Sequence, residues 1–236
     1  MTTIDIDRPL LEQNDSDAAA LRRRFDRQRV FVVNLMSSPG SGKTALLEAT
    51  LRHLLASGRP AAALVGDLAT DNDARRLARS GAPVQQLVTG QACHLEAKRI
   101  EQALAGWNLE GLEFLFIENV GNLVCPAEFD LGEARRVVLL SVTEGEDKPL
   151  KYPPIFLAAD AVLLTKIDLA AAVEFDRPAA TAAVQAVAPQ ATLLTTSVRE
   201  PGGADGWFQW LLTERSRWLA ATSPASPLRP DAHSHE

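Results

Sequence analysis

Apolar residues are grouped along this chain in short continuous runs, separated by segments of helical composition. A continuous apolar run of strand length is typical of a strand that is buried on both faces. Such strands alternating with helices predict an α/β fold, in which a mostly parallel sheet carries helices on both faces. The predicted strands are residues 30–36, 61–65, 84–88, 112–117, 136–142, 161–165 and 191–195. The predicted helices are residues 18–29, 45–56, 71–80, 94–105, 170–187 and 207–220.

The two ends of the chain lack this pattern. Residues 1–16 are polar and are predicted to be mobile. Residues 222–236 hold three prolines without apolar periodicity, so they are predicted to be disordered. The pattern between them predicts a single domain over residues 17–221. The first predicted helix carries five arginines, which we interpret as a solvated helix face.

Composition excludes several classes of protein. Of the 236 residues 46% are hydrophobic, enough for a sizeable core, and the net charge of −6 argues against a nucleic-acid partner. No run reaches the roughly 18 apolar residues of a membrane helix. The first 30 residues hold six acidic side chains, which does not fit a secretory signal peptide. Two cysteines do not make a disulfide scaffold, and we expect a reducing, cytoplasmic location.

A glycine-rich loop follows the first predicted strand directly. The sequence SSPGSGKT at residues 37–44 matches the phosphate-binding pattern G-x-x-x-x-G-K-S/T, except that Ser37 replaces the first glycine at a strand end, where a negative φ tolerates serine. Backbone N–H groups of the loop would face phosphate oxygens. Lys43 would bridge the β- and γ-phosphates, and the Thr44 hydroxyl would bind Mg²⁺. The predicted phosphate-binding residues are Pro39, Gly40, Ser41, Gly42, Lys43, Thr44 and Ala45.

A second motif favours guanine as the base. Thr165, Lys166 and Asp168 follow a late strand with the spacing N/T-K-x-D that GTPases place there. The aspartate carboxylate would accept hydrogen bonds from guanine N1–H and the 2-amino group, a pair of donors that adenine does not offer, while the lysine stem would pack on the base. The alternative interpretation is a strand end followed by solvated charges.

Two carboxylates end other predicted strands. Asp67 follows AALVG and Glu118 follows LEFLFI, and ligands bind at the carboxyl ends of parallel strands. The sequence ENVG at residues 118–121 has the spacing of the GTPase D-x-x-G motif, so the Gly121 N–H would contact the γ-phosphate. We expect Asp67 or Glu118 to hold Mg²⁺ directly or through water, with ordinary surface carboxylates as the alternative. The predicted catalytic residues are Lys43, Thr44, Asp67, Glu118 and Gly121.

The two cysteines stand on loops of the same predicted sheet edge. Cys93 precedes His94 directly, and Cys125 follows Gly121 by four residues. Two thiolates and an imidazole form a soft ligand set suited to Zn²⁺ or Ni²⁺, with a further position open for water, a partner or a second subunit. Two buried structural thiols are the alternative. If loss of the γ-phosphate moves this loop, hydrolysis would reorient the metal ligands.

Taken together, six segments resemble the HypB family, GTPases that assist nickel insertion into nickel–iron hydrogenase. The resemblance runs from about residue 17 to residue 220. The urease accessory GTPases of the UreG type are a related alternative, but their metal motif is Cys-Pro-His, whereas this chain has Cys93-His94 and a separate Cys125. The matching segments are NLMSSPGSGKT, VGDLATDNDARR, TGQACHLEA, FLFIENVGNLVCPAEFDLGE, SVTEGEDKPLKYP and GWFQWL.

The resemblance implies the dimeric metal-chaperone branch of the P-loop NTPases. It implies a GTP-promoted homodimer, slow hydrolysis of GTP to GDP and phosphate, and nickel or zinc bound near the interface. It adds Ser197 to the nucleotide-binding residues and directs Lys148 and Lys151 toward the partner's nucleotide. The implied partners are a small nickel carrier of the HypA type and the hydrogenase large subunit.

Two functions of other classes fit parts of the sequence. A P-loop small-molecule kinase would need an acceptor pocket and would leave Cys125 without a task. A non-catalytic metal-binding or scaffold module would not need Lys43. Nucleotide preference and the effect of removing Lys43 separate these alternatives from a GTPase.

Overall fold

Seven parallel strands form one sheet in the computed structural model, which describes residues 8–67, 72–90 and 92–222. The strands are β1 (Phe31–Ser37), β2 (Ala61–Asp67), β3 (Val84–Val88), β4 (Phe114–Glu118), β5 (Arg135–Ser141), β6 (Ala161–Thr165) and β7 (Thr192–Thr196). Their order in the sheet is β3-β2-β4-β1-β5-β6-β7, and every neighbouring pair is parallel. The predicted α/β fold is confirmed, and each strand lies within two residues of its predicted position.

Eight helices accompany these strands in the described residues. They are α1 (Arg8–Gln28), α2 (Lys43–Ala56), α3 (Asn72–Ala78), α4 (Ala97–Ala103), α5 (Lys148–Lys151), α6 (Pro153–Leu157), α7 (Arg177–Val187) and α8 (Asp205–Thr222). None of the described helices is long and apolar enough to cross a membrane.

The central strand β1 shows how both faces are covered. All seven of its residues are buried. Phe31, Val33 and Leu35 pack in a cluster with α2, α3 and α8. Val32 packs in a second cluster with α1 and α4, and Met36 in a third with α6 and α7. Because successive side chains of a strand point to opposite faces, these clusters lie on two sides of the sheet. The loops that follow the strands, including the glycine-rich loop after β1, lie at the carboxyl edge of the sheet.

The N-terminal helix is longer than the pattern predicts. Since α1 begins at Arg8, the prediction that residues 1–16 are mobile is wrong for residues 8–16, and residues 1–7 lie outside the described residues. The helix buries Asn14, Ala18, Leu21 and Phe25 at spacings of three and four residues. The first residue of this buried stripe, Asn14, is polar, so a prediction from hydrophobic periodicity alone places the start of the helix too late.

Other differences concern where helices begin. Helix α7 begins at Arg177 instead of residue 170, because Asp176 caps it by accepting from the Ala179 N–H and a proline occupies its first turn. Helix α4 begins at Ala97, because Glu96 is extended. Cys93 and His94 therefore lie in a loop before the helix. The predicted disordered tail from residue 222 falls outside the described residues, apart from Thr222 at the end of α8.

Candidate functional site

The loop between β1 and α2 has the conformation that phosphate binding requires. Gly40 and Gly42 adopt φ values of +77° and +98°, which side chains rarely adopt. Ser37 ends β1 as expected, and its hydroxyl accepts a 2.8 Å hydrogen bond from Lys43 Nζ. The serine in place of the motif's first glycine is thus accommodated within a strand. The first turn of α2 opens directly onto the loop, which favours an anion there.

Lys43 and its acidic neighbours set the charge of this site. Burial lowers the pKa of Lys43, while the carboxylates of Glu118, Asp73 and Glu144 act in the opposite direction. The Thr44 hydroxyl donates to Glu118 Oε1 at 2.7 Å. A hydroxyl and a carboxylate this close form a pair of hard oxygen ligands, so the residues present fit Mg²⁺.

Two cavities adjoin the phosphate loop and share Gly42, Ala45 and Arg76 in their walls. The first, of about 430 Å³, extends from the loop to Glu118 and Gly121. The second, of about 500 Å³, extends to β6 and β7. Together they form a continuous site with a polar end for phosphates and a second end for a base.

The second cavity gathers the predicted base-recognition residues. The Thr165 hydroxyl donates to the Ser41 carbonyl at 2.7 Å, and Lys166 Nζ donates to the Gly40 carbonyl at 2.7 Å. Asp168 accepts from the Ser197 hydroxyl at 2.6 Å, which orients its carboxylate beside the cavity. The motif at the end of β6 therefore donates hydrogen bonds to the phosphate loop from its first two residues, and its aspartate lies beside the cavity where a base would bind.

Gly121 lies directly against the phosphate loop. A Cβ at this position would meet Pro39 Cα at 3.0 Å, tighter than most real Cβ contacts, so a side chain there would push the phosphate loop away by a few tenths of an ångström. Gly121 and Glu118 both line the phosphate cavity. The loop that leads to Cys125 therefore begins at the wall of the phosphate cavity.

The predicted metal ligands are brought together in space. One ligand atom each from Cys93, His94 and Cys125 lies within 4.8 Å of the others. We predicted thiolates at both cysteines, and the structure instead joins them as a disulfide with Cα atoms 6.3 Å apart. Because metal and disulfide use the same two sulfur atoms, a metal can bind here only when the pair is reduced.

His94 has the character of a metal-binding imidazole. Its ring stacks on Phe129, with centroids 3.7 Å apart. Burial lowers the pKa of His94, which favours the neutral ring that metals bind. Its Nε2 atom is buried and makes no hydrogen bond to any described residue. The other ring nitrogen, Nδ1, lies 3.7 Å from the Cys93 sulfur atom, whereas Nε2 lies 3.7 Å from Glu96 Oε1. An imidazole beside two sulfur atoms fits Ni²⁺ or Zn²⁺.

A single side chain links the glycine loop to the first cysteine. Asn122 Nδ2 donates to the Cys93 carbonyl at 3.3 Å, and Asn122 Oδ1 accepts from the Val124 N–H at 2.9 Å. Asn122 follows Gly121 directly. The phosphate cavity and the metal set are therefore connected through one side chain as well as along the chain.

Comparison with known proteins agrees with this geometry. The profile of the family described as "CobW/HypB/UreG, nucleotide-binding domain" matches residues 31–195. The chain is 48% identical to the hydrogenase maturation factor HypB of Azotobacter vinelandii, over 98% of this chain and 75% of that protein. It is 42% identical to the hydrogenase/urease maturation factor HypB of Helicobacter pylori, over 87% of this chain and 86% of that protein.

A solved structure shows the same fold. The crystal structure of HypB from Helicobacter pylori in complex with nickel superposes with a TM-score of 0.83 at 39% identity, and the match covers 94% of this chain and all of that one. The chain belongs to the HypB family. The P-loop NTPase fold predicted for it is confirmed.

For two residues predicted at the nucleotide or Mg²⁺ site of this HypB-family chain, the predicted role stays a prediction. Lys151 pairs with Asp147 at 2.6 Å on the surface, outside both cavities, so its contact with a partner's nucleotide stays a prediction. Asp67 ends β2 at the right edge of the sheet, but its side chain lies outside the described residues.

The structure also adds residues to the HypB-family site that the motifs did not single out. Glu144 accepts a hydrogen bond from the Ser41 hydroxyl and so supports the phosphate loop. Arg76 lies between the two cavities and pairs with Glu48 at 2.7 Å. Both stand in segments that resemble the family, yet only their spatial position shows what they contact. Asn122 carried no signal in the sequence beyond its place between Gly121 and Cys125.

Proposed function

We propose that this chain is a GTP-hydrolysing metallochaperone that assists nickel insertion into hydrogenase. The observation that carries the proposal is the shared loop after β4. Asn119 and Gly121 of this loop line the phosphate cavity, and Cys125 belongs to the metal set. A loop that contacts both sites gives nucleotide hydrolysis a direct way to change the metal ligands.

Guanine recognition is supported by the carboxylate of Asp168, which Ser197 orients. Mg²⁺ would be held by Thr44 and Glu118, with Asp67 as a further ligand through water, and would neutralise charge on the β- and γ-phosphates. Lys43 would exchange its bond to Ser37 for a phosphate oxygen. The residues beside Gly121 are Val120 and Asn122, and neither is a glutamine that could orient water, so we expect slow hydrolysis.

Nickel is the proposed cargo of the site formed by Cys93, His94 and Cys125, with zinc as the competing metal. A relative of this family has been crystallised in complex with nickel, which supports the choice. The three ligands leave a coordination position open, as a metal that must be handed on requires. Since the thiols must be reduced to bind metal, we place the protein in the cytoplasm.

A GTP-promoted homodimer is the proposed working form. The segment of α5 and α6 exposes Leu150 and Leu157, which are 58% and 61% accessible, beside Lys148 and Lys151. Apolar side chains next to lysines suit a surface that meets both a second subunit and its nucleotide. The proposed partners are a HypA-type nickel carrier and the hydrogenase large subunit. The Helicobacter relative is named for hydrogenase and urease, so urease is the second recipient to test.

The deciding experiment is a nickel titration of the reduced protein with a non-hydrolysable GTP analogue, with GDP and without nucleotide, while the particle mass is followed. We expect nickel affinity to differ between the two nucleotide states and the dimer to form with the analogue. Lys43→Ala should abolish both effects. Equal affinity in all states would contradict the coupling. Preference for ATP, or phosphate transfer to a small acceptor, would favour a kinase instead.

A further inference from the structure

The N-terminal helix α1 holds a buried polar side chain in an otherwise apolar stripe. Asn14 is 5% exposed and lies one helical turn before Ala18. Its Nδ2 donates to the Asp130 carbonyl at 2.8 Å, and its Oδ1 accepts from the Ala97 N–H at 2.9 Å. One amide thus satisfies two backbone groups that are 33 residues apart in sequence.

The two backbone groups belong to the two segments that supply the metal ligands. Ala97 is the first residue of α4 and follows His94 by three residues. Asp130 follows Cys125 by five residues, in the loop that carries Phe129 beneath the His94 ring. Asn14 therefore fastens the segment of Cys93 and His94 to the segment of Cys125 through a third element.

Further contacts hold the same loop against α1. The Arg22 guanidinium binds both carboxylate oxygens of Asp130 at 2.7 Å. Gly132 adopts a φ of +77°, and a Cβ there would lie 2.8 Å from the Ala18 carbonyl oxygen. This close approach means that the loop after Cys125 has little room to move relative to the helix.

The start of α1 also borders the metal set itself. Leu10 and Leu11 line a cavity of about 220 Å³ together with His94 and Cys125. The first turn of the helix therefore borders the metal set, and Asn14, one turn later, holds the two segments that supply the ligands. Five arginines on this helix suggested a solvated face, and that interpretation is wrong for Arg22, which pairs with Asp130.

We propose that Asn14 is a positioning residue of the metal site, which sets the separation of Cys93 and His94 from Cys125 through α1. The inference rests on the proposed function, since it assumes that these three residues bind the metal. The asparagine amide suits this position because it donates and accepts at once. Aspartate keeps the acceptor for the Ala97 N–H but places a second acceptor against the Asp130 carbonyl, and leucine removes both bonds while keeping the size.

The test uses the full chain in reduced form, loaded with GDP, and titrates it with nickel. Asn14→Leu and Asn14→Asp are compared with the native protein, with Cys125→Ser, and with Thr50→Val as the matched control. Thr50 is buried on the opposite face of the sheet and accepts a hydrogen bond from Trp207 Nε1 at 2.9 Å. Its replacement therefore destabilises the fold without touching the ligand segments. Nickel affinity, the sulfur-to-nickel absorption band and GDP affinity are measured for each.

We expect Asn14→Leu to weaken nickel binding about tenfold and to change the absorption band, with GDP affinity unchanged, because supporting partners of metal ligands have effects of this order. Asn14→Asp should also weaken nickel binding, and it replaces Asn14→Leu as the test variant if Asn14→Leu does not fold. Thr50→Val should lower the melting temperature and leave nickel affinity unchanged.

Native-like nickel affinity in both Asn14 variants, with loss in Cys125→Ser, would overturn the inference alone. Equal weakening by Thr50→Val and Asn14→Leu would overturn it too, since general destabilisation would then explain the effect. Native-like nickel affinity in Cys125→Ser would show that the proposed metal site is wrong, and the positioning role would fall with it.

Discussion

Asn122 is the side chain through which we expect the nucleotide to act on the metal site. It follows Gly121, which touches the phosphate loop, and it donates to the Cys93 carbonyl at 3.3 Å. Asn122→Asp removes this donor while it keeps the acceptor for the Val124 N–H, so the loop's own turn is preserved. Asn122→Ala removes both hydrogen bonds.

The expected magnitude follows from the number of bonds lost. A hydrogen bond of this kind contributes about 1 kcal/mol net, and among the described residues the bond to Cys93 is the one side-chain hydrogen bond that Asn122→Asp breaks. If the whole of that energy differs between the two nucleotide states, the ratio of nickel affinities with the GTP analogue and with GDP falls by about fivefold. The figure counts the lost donor alone, and any effect of the new carboxylate that is equal in the two nucleotide states cancels in the ratio.

The assay is the ratio of two nickel dissociation constants, measured on the same reduced protein in the two nucleotide states. Both variants should reduce this ratio toward one, with fluorescent GDP binding unchanged. A native ratio in Asn122→Asp and in Asn122→Ala would refute the idea that this side chain carries the coupling. A reduced ratio in Asn122→Ala alone would assign the effect to the turn at Val124 instead.

Three further outcomes are expected. Asp168→Ala should weaken GDP binding about 100-fold, or about 3 kcal/mol, through loss of two charge-assisted hydrogen bonds to guanine, and unchanged binding of fluorescent GDP would contradict this role. The hydrogen bond from Arg76 lowers the pKa of Glu48 below its ordinary value of 4.5, so the stability from this pair is present above that pH and is lost as the pH falls below it. Glu48→Gln should therefore lose less stability than the native protein in urea melts between about pH 5 and pH 3, and parallel losses would argue against the pair. Oxidised protein, with Cys93 joined to Cys125, should bind nickel at this site only after reduction, and equal calorimetric titrations with and without reductant would exclude these thiols as ligands.

The strands and the phosphate loop could be predicted because their signals are local. The inner strands β1, β4 and β6 are buried throughout and mostly apolar, which is the pattern of a strand covered on both faces, whereas the edge strands β3 and β7 are only partly buried. The loop at residues 37–44 is contiguous, and its two glycines adopt the positive φ values that the motif implies. The base-recognition residues followed from their place after a strand, since parallel strands bring their carboxyl ends to one edge.

The beginning of α1 could not be predicted in the same way. Asn14 is buried because Asp130 and Ala97 present backbone groups to it, and these lie 116 and 83 residues away along the chain. Arg22 likewise has a partner 108 residues away. In the sequence, a polar side chain with a distant partner cannot be told from a solvated residue, so the predicted helix starts only where its apolar residues begin.

The sequence by itself determined the seven strands, the six longer helices, the phosphate loop and the identity of the candidate ligands, because each depends on residues close together in the chain, whereas the short helices α5 and α6 were not predicted. Tertiary structure decided which side chains support those ligands. It paired Asn122 with Cys93 and joined Cys93 to Cys125. It also turned a polar N-terminal segment into a helix that braces both ligand segments. These contacts depend on distances between elements that only the packed sheet and helices define.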